Sequence, residues 1–218
     1  IFFVFLATNL SYEFVFYSLS LAVLVSIYFI SKLSYEGEAT ISKPKITDVM
    51  EILKDKRFLI IYFLMFCVFF VFSGVLNILP FRVKEISSNV SEFQISLLYL
   101  GYGMGILISL NSSKIVKFFK NELNTILFGL IFFLFITIFL IQENIIFIFL
   151  LIFLFCVGMF TVHTVSTGLA NSMKESQKSL TSGMYLSFYY LGGALGSFLP
   201  SIIYEKFGWN VVIYMFCI

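Results

Sequence analysis

Long apolar runs separated by short polar segments form the main pattern along this chain. A charged side chain at the centre of a bilayer costs roughly 2.5 to 3.5 kcal/mol on insertion scales, so a membrane span appears as a charge-free window of about 20 residues. Six such windows follow one another: residues 14–31, 58–81, 93–113, 123–142, 144–173 and 179–204. We interpret each window as one complete transmembrane helix.

The two ends of the chain are apolar as well, but short. Residues 1–12 and 207–218 carry no charge, and at about 1.5 Å per residue neither is long enough to cross a bilayer. The chain begins at Ile1, without an initiator Met or a signal-peptide pattern, and its last residue, Ile218, follows an apolar run. We expect a fragment of a longer polytopic protein, all-α in class, with six complete transmembrane helices and two truncated ones.

Composition supports a bundle of membrane helices and excludes several classes of function. Only 12% of the 218 residues are charged and 60% are hydrophobic, whereas soluble domains carry about 25% charged residues. A formal net charge of +2 is too small to suggest a nucleic-acid partner. The three cysteines lie far apart in apolar runs, and no metal-ligand, P-loop or nucleophile motif occurs. We therefore expect a multi-pass protein of the cell (inner) membrane with no cofactor, no metal and no enzymatic activity.

The basic residues predict the orientation. Counting loops alternately, one set contains eleven of them and the other contains three: Lys32, Lys43, Lys45, Lys54, Lys56, Arg57, Lys114, Lys117, Lys120, Lys174 and Lys178 against Arg82, Lys84 and Lys206. The positive-inside bias places the larger set in the cytoplasm. Within the long cytoplasmic connection, residues 32–57, we predict a short amphipathic helix capped by Thr47, with Val49, Ile52 and Leu53 on its apolar face.

Small residues recur at helical spacing in two of the windows. Membrane helices associate through small residues, since lipid offers no hydrophobic reward for their contact. The stripe Gly101, Gly105 and Ser109 predicts close contact with a neighbouring helix. A second small surface is formed by Gly192, Gly193 and Gly196.

Polar side chains inside the windows are the candidate functional residues. An amide in hydrocarbon needs a partner, so Asn77 is expected to face protein or a water-filled cavity, as packing contact or substrate contact. His163 is the only histidine, and an ionisable residue within a span is a functional candidate by default. Its position near one end of the window favours a supporting, hydrogen-bonding role. Tyr185 suits the headgroup level, whereas Tyr189 is expected to sit deeper.

Two stretches of the second half carry a resemblance. "FCVGMFTVHTVSTGLANSM" and "KSLTSGMYLSFYYLGGALGSFLPSIIYEKFGWNVV" resemble the tenth to twelfth helices of major facilitator superfamily transporters, especially drug:proton-antiporter or arabinose-efflux-like permeases. Upstream, Leu53 to Phe58 resembles the entry to the seventh helix, and Asn77 to Arg82 resembles its polar end. The basic turn between helices eight and nine is reduced here to residues 113–120, without an Asp.

The resemblance implies a domain organisation and a function. Residues 1–31 would be the end of the N-terminal bundle, 32–57 the cytoplasmic linker, and 58–218 the C-terminal bundle with an incomplete last helix. It also implies a monomeric secondary transporter, embedded in the lipid bilayer, that exports a small molecule, coupled to a proton gradient, by rocking of the two bundles. The substrate pathway would be lined by Asn77, Tyr185 and Tyr189, with His163 in support.

Two other functions remain open at this point. One is a polytopic membrane enzyme, such as a lipid-modifying transferase, for which the loop from Arg82 to Glu92 is the only candidate platform. The other is a non-transporting membrane subunit or gene remnant. A further six spans encoded upstream would favour the transporter.

Overall fold

The computed structural model describes residues 2–33 and 45–218, which are helical almost throughout and contain no strand. A 3-10 helix, Leu98–Tyr102, joins the fifth α-helix to the sixth, and another, Glu175–Gln177, precedes the ninth. The α-helices are α1 (Phe2–Asn9), α2 (Tyr12–Ser31), α3 (Ile46–Lys54), α4 (Lys56–Ile86), α5 (Glu92–Leu97), α6 (Gly103–Phe118), α7 (Glu122–Phe139), α8 (Ile145–Met173), α9 (Lys178–Phe207) and α10 (Trp209–Phe216).

Six helical segments of the described ranges are long and apolar enough to cross a membrane. They are Tyr12–Ser31, Lys56–Ile86, Glu92–Phe118, Glu122–Phe139, Ile145–Met173 and Lys178–Phe207. Each contains one of the predicted charge-free windows or nearly all of it. The prediction of an all-α, polytopic integral membrane protein is therefore confirmed. The two end segments, α1 and α10, have eight residues each.

The described residues divide into two compact units. The first contains residues 2–33 and 91–99, and in it α1 packs against α2. The second contains residues 45–90 and 100–218. The proposed division at residues 31/32 and 57/58 stays a prediction. Residues 34–44 of the linker, with Lys43, lie outside the described residues.

The predicted amphipathic helix of the linker is α3, but it starts earlier than expected. Its N-cap is Lys45 rather than Thr47, because the Asp48 carboxylate accepts the backbone N–H of Lys45 at 3.2 Å and thereby fixes the first turn at Ile46. Ile52 is the buried residue of α3 within the second unit, with 1% of its surface exposed. Glu51 forms an ion pair of 2.9 Å with Lys174, the residue that follows α8.

The junction between α3 and α4 is a single residue. Asp55 ends α3 and caps α4, where its carboxylate accepts the backbone N–H of Arg57 at 2.9 Å. The Arg57 guanidinium also donates to this carboxylate at 2.8 Å, and this side-chain hydrogen bond holds the pKa of Asp55 below its ordinary value.

Helices α4 and α9 run parallel and are joined by hydrogen bonds. Three side chains of α4 donate to backbone carbonyls of α9 at a nearly constant sequence offset: Tyr62 to Thr181 at 3.0 Å, Ser73 to Gly193 at 3.0 Å and Asn77 to Ser197 at 2.8 Å. The carbonyls of a membrane helix have no water to bond with, so such side-chain donors are a standard way of fixing one helix to another.

Glycines of α9 permit this close approach. A Cβ atom at Gly192 or Gly196 would collide with the backbone carbonyl oxygen of Phe66 or Phe70 on α4. At Gly193 it would meet the ring of Phe69. The two backbones therefore touch directly along the surface that the sequence marks with small residues.

Contacts between the other helices fix the directions of the second unit. Helix α8 runs antiparallel to α9, since Ser182 near the start of α9 contacts Asn171 near the end of α8. Helix α7 is antiparallel to α8, because Phe133 lies against Gly158 while Gly129 lies against Val162. The alternation places the basic residues of the unit's predicted cytoplasmic segments at one end, which we call the basic end: Lys54, Lys56, Arg57, Lys114, Lys117, Lys120, Lys174 and Lys178.

The opposite end is closed by a polar network around Arg82. This arginine is 8% exposed and pairs with Glu85 at 3.1 Å and with Glu143 at 3.2 Å. Tyr204 of α9 donates to Glu85 at 3.0 Å. Helix α4 thus continues past Pro80 to Ile86, although the sequence predicts that it ends in the run from Asn77 to Arg82. Proline removes a single N–H donor, and the ion pairs hold the turn that follows it.

Candidate functional site

An open cleft separates α6 from α8 in the second unit. Its volume is about 630 Å³, within the range of roughly 300 to 1,000 Å³ typical of small-molecule sites. The α8 wall of the cleft carries polar side chains, whereas the α6 wall is mainly apolar. Its lining includes, on α8, His163, Thr164, Thr167, Gly168 and Asn171, and, on α6, Gly105, Ile106, Ser109 and Leu110.

The cleft exists because α6 and α8 diverge along the stripe of small residues. At Gly101 the two elements touch: an added Cβ would lie 3.0 Å from Cys156 Sγ and 3.3 Å from the carbonyl oxygen of Ile152. One turn on, at Gly105, the nearest atoms belong only to the ring of Phe160, at 3.0 Å. At Ser109 the stripe is exposed and lines the cleft. The predicted packing stripe is therefore a contact at its first two members and a cleft wall at the third.

Among the residues that the structure describes, none with a charged side chain lines this cleft. A smaller cavity of about 380 Å³ continues it towards the basic end and shares Thr164 and Gly168 with it. Glu122, at the start of α7, lines that second cavity. Polar residues of α8 thus line the two cavities in turn, over more than two turns of the helix. Glu122 of α7 adds an acidic side chain in the second cavity.

His163 and the two tyrosines of α9 meet beside the cleft. The hydroxyl of Tyr185 lies 3.0 Å from His163 Nδ1 and 3.2 Å from the backbone oxygen of the same residue. Tyr185 is 1% exposed, so this pair lies between α8 and α9. The ring of Tyr189 lies 4.8 Å from the imidazole ring, centroid to centroid. The sequence analysis assigned these three residues, together with Asn77, to one pathway, and the structure brings the three into contact.

Aromatic side chains of α4 pack against the two tyrosines of α9. Phe69 stacks on Tyr189 with ring centroids 3.7 Å apart and an interplanar angle of 11°. The buried Tyr62 lies edge-on to Tyr185 at 6.3 Å. Three helices therefore contribute to one rigid cluster, in which only the imidazole also lines the cleft.

Asn77 lies elsewhere. Its amide donates to α9 at Ser197, with Ser201 Oγ at 3.3 Å. Ser197 is twelve residues beyond Tyr185 on α9, or about 18 Å along the helix at 1.5 Å per residue. The structure thus gives Asn77 a role in joining α4 to α9, and it does not bring Asn77 to the cleft.

Sequence reasoning missed the polar face of α8 beyond His163. Thr164, Thr167, Gly168 and Asn171 follow it at steps of one, four, five and eight residues, which place them on one side of a helix. This helical periodicity of polar residues was visible in the sequence. It was obscured because no member other than the histidine is ionisable.

Comparison of the chain with known protein families and with curated proteins finds no match. The class that the fold defines is therefore a polytopic helical membrane protein, and the likeness to major facilitator transporters stays a hypothesis drawn from the sequence.

Proposed function

We propose that this chain forms part of a secondary active transporter of the major facilitator type, which exports a small molecule across the cell (inner) membrane in exchange for protons. The observation that carries the proposal is the cleft beside His163 and Tyr185, which is mostly apolar but presents uncharged polar side chains along its α8 wall. Polar side chains within a membrane-spanning helix are costly, and they generally mark a substrate or ion pathway.

In this proposal, residues 58–218 move as one bundle against a second bundle, and the substrate is held between the two. The direct backbone contact of α4 with α9 supports rigid-body motion, because the glycines of α9 allow the two helices to pack without a gap between them. His163 lines the pathway, and Tyr185 and Tyr189 of α9 support its imidazole from the side away from the cleft. The protein acts as a monomer in the bilayer, with a small-molecule substrate and protons as its partners.

The reading frame that encodes the chain gives the first test. The proposal expects four further complete spans and the start of a fifth to be encoded upstream, with a basic turn between the second and third spans. A frame that encodes no further spans would reject the two-bundle transporter and favour the membrane-subunit alternative.

Proteoliposomes give the second test. The complete encoded protein is reconstituted around a trapped pH-sensitive dye, and the lumenal pH is recorded as neutral and cationic aromatic compounds are added. We expect compound-dependent proton movement that falls strongly in Tyr189→Ala and persists in Gly183→Ala, a position with no atom within 4 Å of an added Cβ. Proton movement that is equal in protein-free vesicles would reject transport.

A further inference from the structure

The imidazole of His163 has one occupied and one unoccupied nitrogen. Nδ1 faces the hydroxyl of Tyr185 at 3.0 Å. Nε2 forms no hydrogen bond within the described residues, and it is not among their buried unpartnered polar atoms, which are Arg82 Nε, Ser166 Oγ and Gln177 Oε1. Since His163 lines the cleft, Nε2 is the nitrogen that a molecule in the cleft can reach.

The Tyr185 hydroxyl has two acceptors within reach, His163 Nδ1 at 3.0 Å and the backbone oxygen of His163 at 3.2 Å, and the choice between them sets the imidazole tautomer. The backbone oxygen of His163 already accepts the hydroxyl of Thr167 at 2.8 Å, in addition to the bond of the helix itself. We therefore assign the Tyr185 proton to Nδ1. A neutral imidazole that accepts at Nδ1 carries its own proton at Nε2. His163 therefore presents an N–H donor to the cleft.

Asn171 presents a second donor. Its Oδ1 accepts the hydroxyl of Ser182 at 2.6 Å, which orients the amide group. The Nδ2 group forms no hydrogen bond within the described residues and belongs to a side chain that lines the cleft. Eight residues separate Asn171 from His163 on α8, so the two donors are about 12 Å apart along the helix.

Between these donors the α8 wall carries Thr164, Thr167 and Gly168, whereas the rest of the cleft is mainly apolar. The rings of Tyr102 and Phe160 lie 6.0 Å apart at one end, and Ile106 and Leu110 form the facing wall on α6. We propose that the cleft binds an uncharged, elongated, mainly apolar molecule that carries a carbonyl-type acceptor near each end, one for His163 Nε2 and one for Asn171 Nδ2. This inference rests on the proposed function and names the substrate class of its site.

The chain's single histidine allows the first part of the inference to be measured directly. Protein labelled with ¹⁵N-histidine is placed in lipid nanodiscs, and the two ring nitrogens are observed by NMR. We expect the proton on Nε2 in the neutral ring. A proton on Nδ1 would overturn the inference, because His163 would then be an acceptor towards the cleft.

A matched pair of probes tests the ligand class. We expect 4,4′-diacetylbiphenyl, an elongated aromatic molecule with a carbonyl at each end, to shift the Nε2 signal saturably. Biphenyl, which lacks both acceptors, should leave it unchanged at the same concentration. 4-Acetylbiphenyl, with one acceptor, should bind about 3- to 10-fold more weakly than the diketone, the range that one neutral hydrogen bond gives. Equal responses to all three compounds would overturn the two-acceptor class.

Variants test the second donor. Asn171→Leu should weaken binding of the diketone about 3- to 10-fold. The same change at Asn111, whose amide bonds within its own helix to Leu107 at 2.9 Å, should leave binding unchanged. Ser182→Ala, which keeps the Asn171 donor, should retain most of the affinity. Unchanged binding in Asn171→Leu would overturn the role of Asn171.

Failure of this inference is distinguishable from failure of the proposed function. Gradient-driven proton exchange without a response of His163 to the diketone would refute the ligand class and leave the transporter standing. A saturable response of His163, without substrate-coupled proton movement in proteoliposomes of the complete protein, would refute transport and leave the binding site standing.

Discussion

At the residue scale, Gly196, like Gly192, is a position where an added Cβ atom would meet the backbone of α4. Alanine is a better helix former than glycine by about 1 kcal/mol, but a Cβ at Gly196 would collide with the backbone of α4 at Phe70. Backbone cannot move aside as a flexible side chain can. We expect Gly196→Ala to lower the free energy of unfolding by about 1 to 3 kcal/mol, the usual cost of overpacking.

The matched control for this change is Gly183→Ala in the same helix. No atom lies within 4 Å of the Cβ that alanine would add there, so only the helix propensity acts, and stability should stay level or rise. Unfolding by a denaturing detergent in mixed micelles measures both variants. Equal stability of the two would contradict the backbone contact between α4 and α9.

Asn77 differs from an ordinary polar residue in a membrane helix because its partner belongs to another helix. Its amide donates to Ser197 at 2.8 Å, whereas that of Asn111 donates within its own helix. Interhelical hydrogen bonds of this kind are worth about 0.6 to 2 kcal/mol. We expect Asn77→Leu to lower the free energy of unfolding by that amount, and more than Asn111→Leu does.

The same detergent-unfolding titration separates two roles for Asn77. Loss of stability with unchanged substrate affinity would support the joining role that its position indicates. Loss of substrate affinity with full stability would restore Asn77 to the pathway that the sequence resemblance implies.

At the element scale, α3 is held to the basic end of the second unit by one buried side chain and one ion pair. Ile52 is 1% exposed, and truncating a buried isoleucine typically costs about 2 to 5 kcal/mol. The pair of Glu51 with Lys174 is partly exposed, so its share is small. We expect Ile52→Ala to release α3, seen as faster hydrogen exchange and faster tryptic cleavage at Lys54.

Two neighbouring changes serve as controls for α3. Met50 is 47% exposed, so Met50→Ala should leave exchange and cleavage unchanged. Glu51→Gln should have a much smaller effect than Ile52→Ala. A larger effect of Glu51→Gln would mean that the ion pair, rather than the apolar contact, holds the helix.

The elements also show what the sequence could and could not predict. Charge-free windows located all six spans, since the cost of a charge in lipid dominates every other signal. They could not detect the 3-10 segment Leu98–Tyr102, which carries no charge, or the continuation of α4 beyond Pro80. Both depend on contacts between helices, at Gly101 and at Arg82, that leave no trace in hydropathy.

The candidate site was predictable only in part, for a similar reason. His163, Tyr185 and Tyr189 could be named because they are rare polar or ionisable residues in apolar runs. That they meet depends on the antiparallel packing of α8 and α9, and that a cleft opens next to them depends on the divergence of α6 from Gly101 to Ser109.

At the scale of the whole molecule, the second unit has a basic end and an end closed by the network around Arg82. Anionic groups pair with Arg82 at that closed end, while the cleft between α6 and α8 opens in the direction of the basic end. If the basic end faces the cytoplasm, as the positive-inside bias predicts, then the cleft faces inward and is positioned to receive a substrate from the cytoplasm or the inner leaflet.

Cysteine labelling in intact cells tests this orientation. In a background without Cys67, Cys156 and Cys217, single cysteines replace Asn89, at the closed end, and Lys117, at the basic end; both residues are exposed. We expect a membrane-impermeant maleimide to label position 89 in intact cells and position 117 only after permeabilisation. The reverse pattern would turn the cleft outward, and it would make uptake, rather than export, the direction that its position favours.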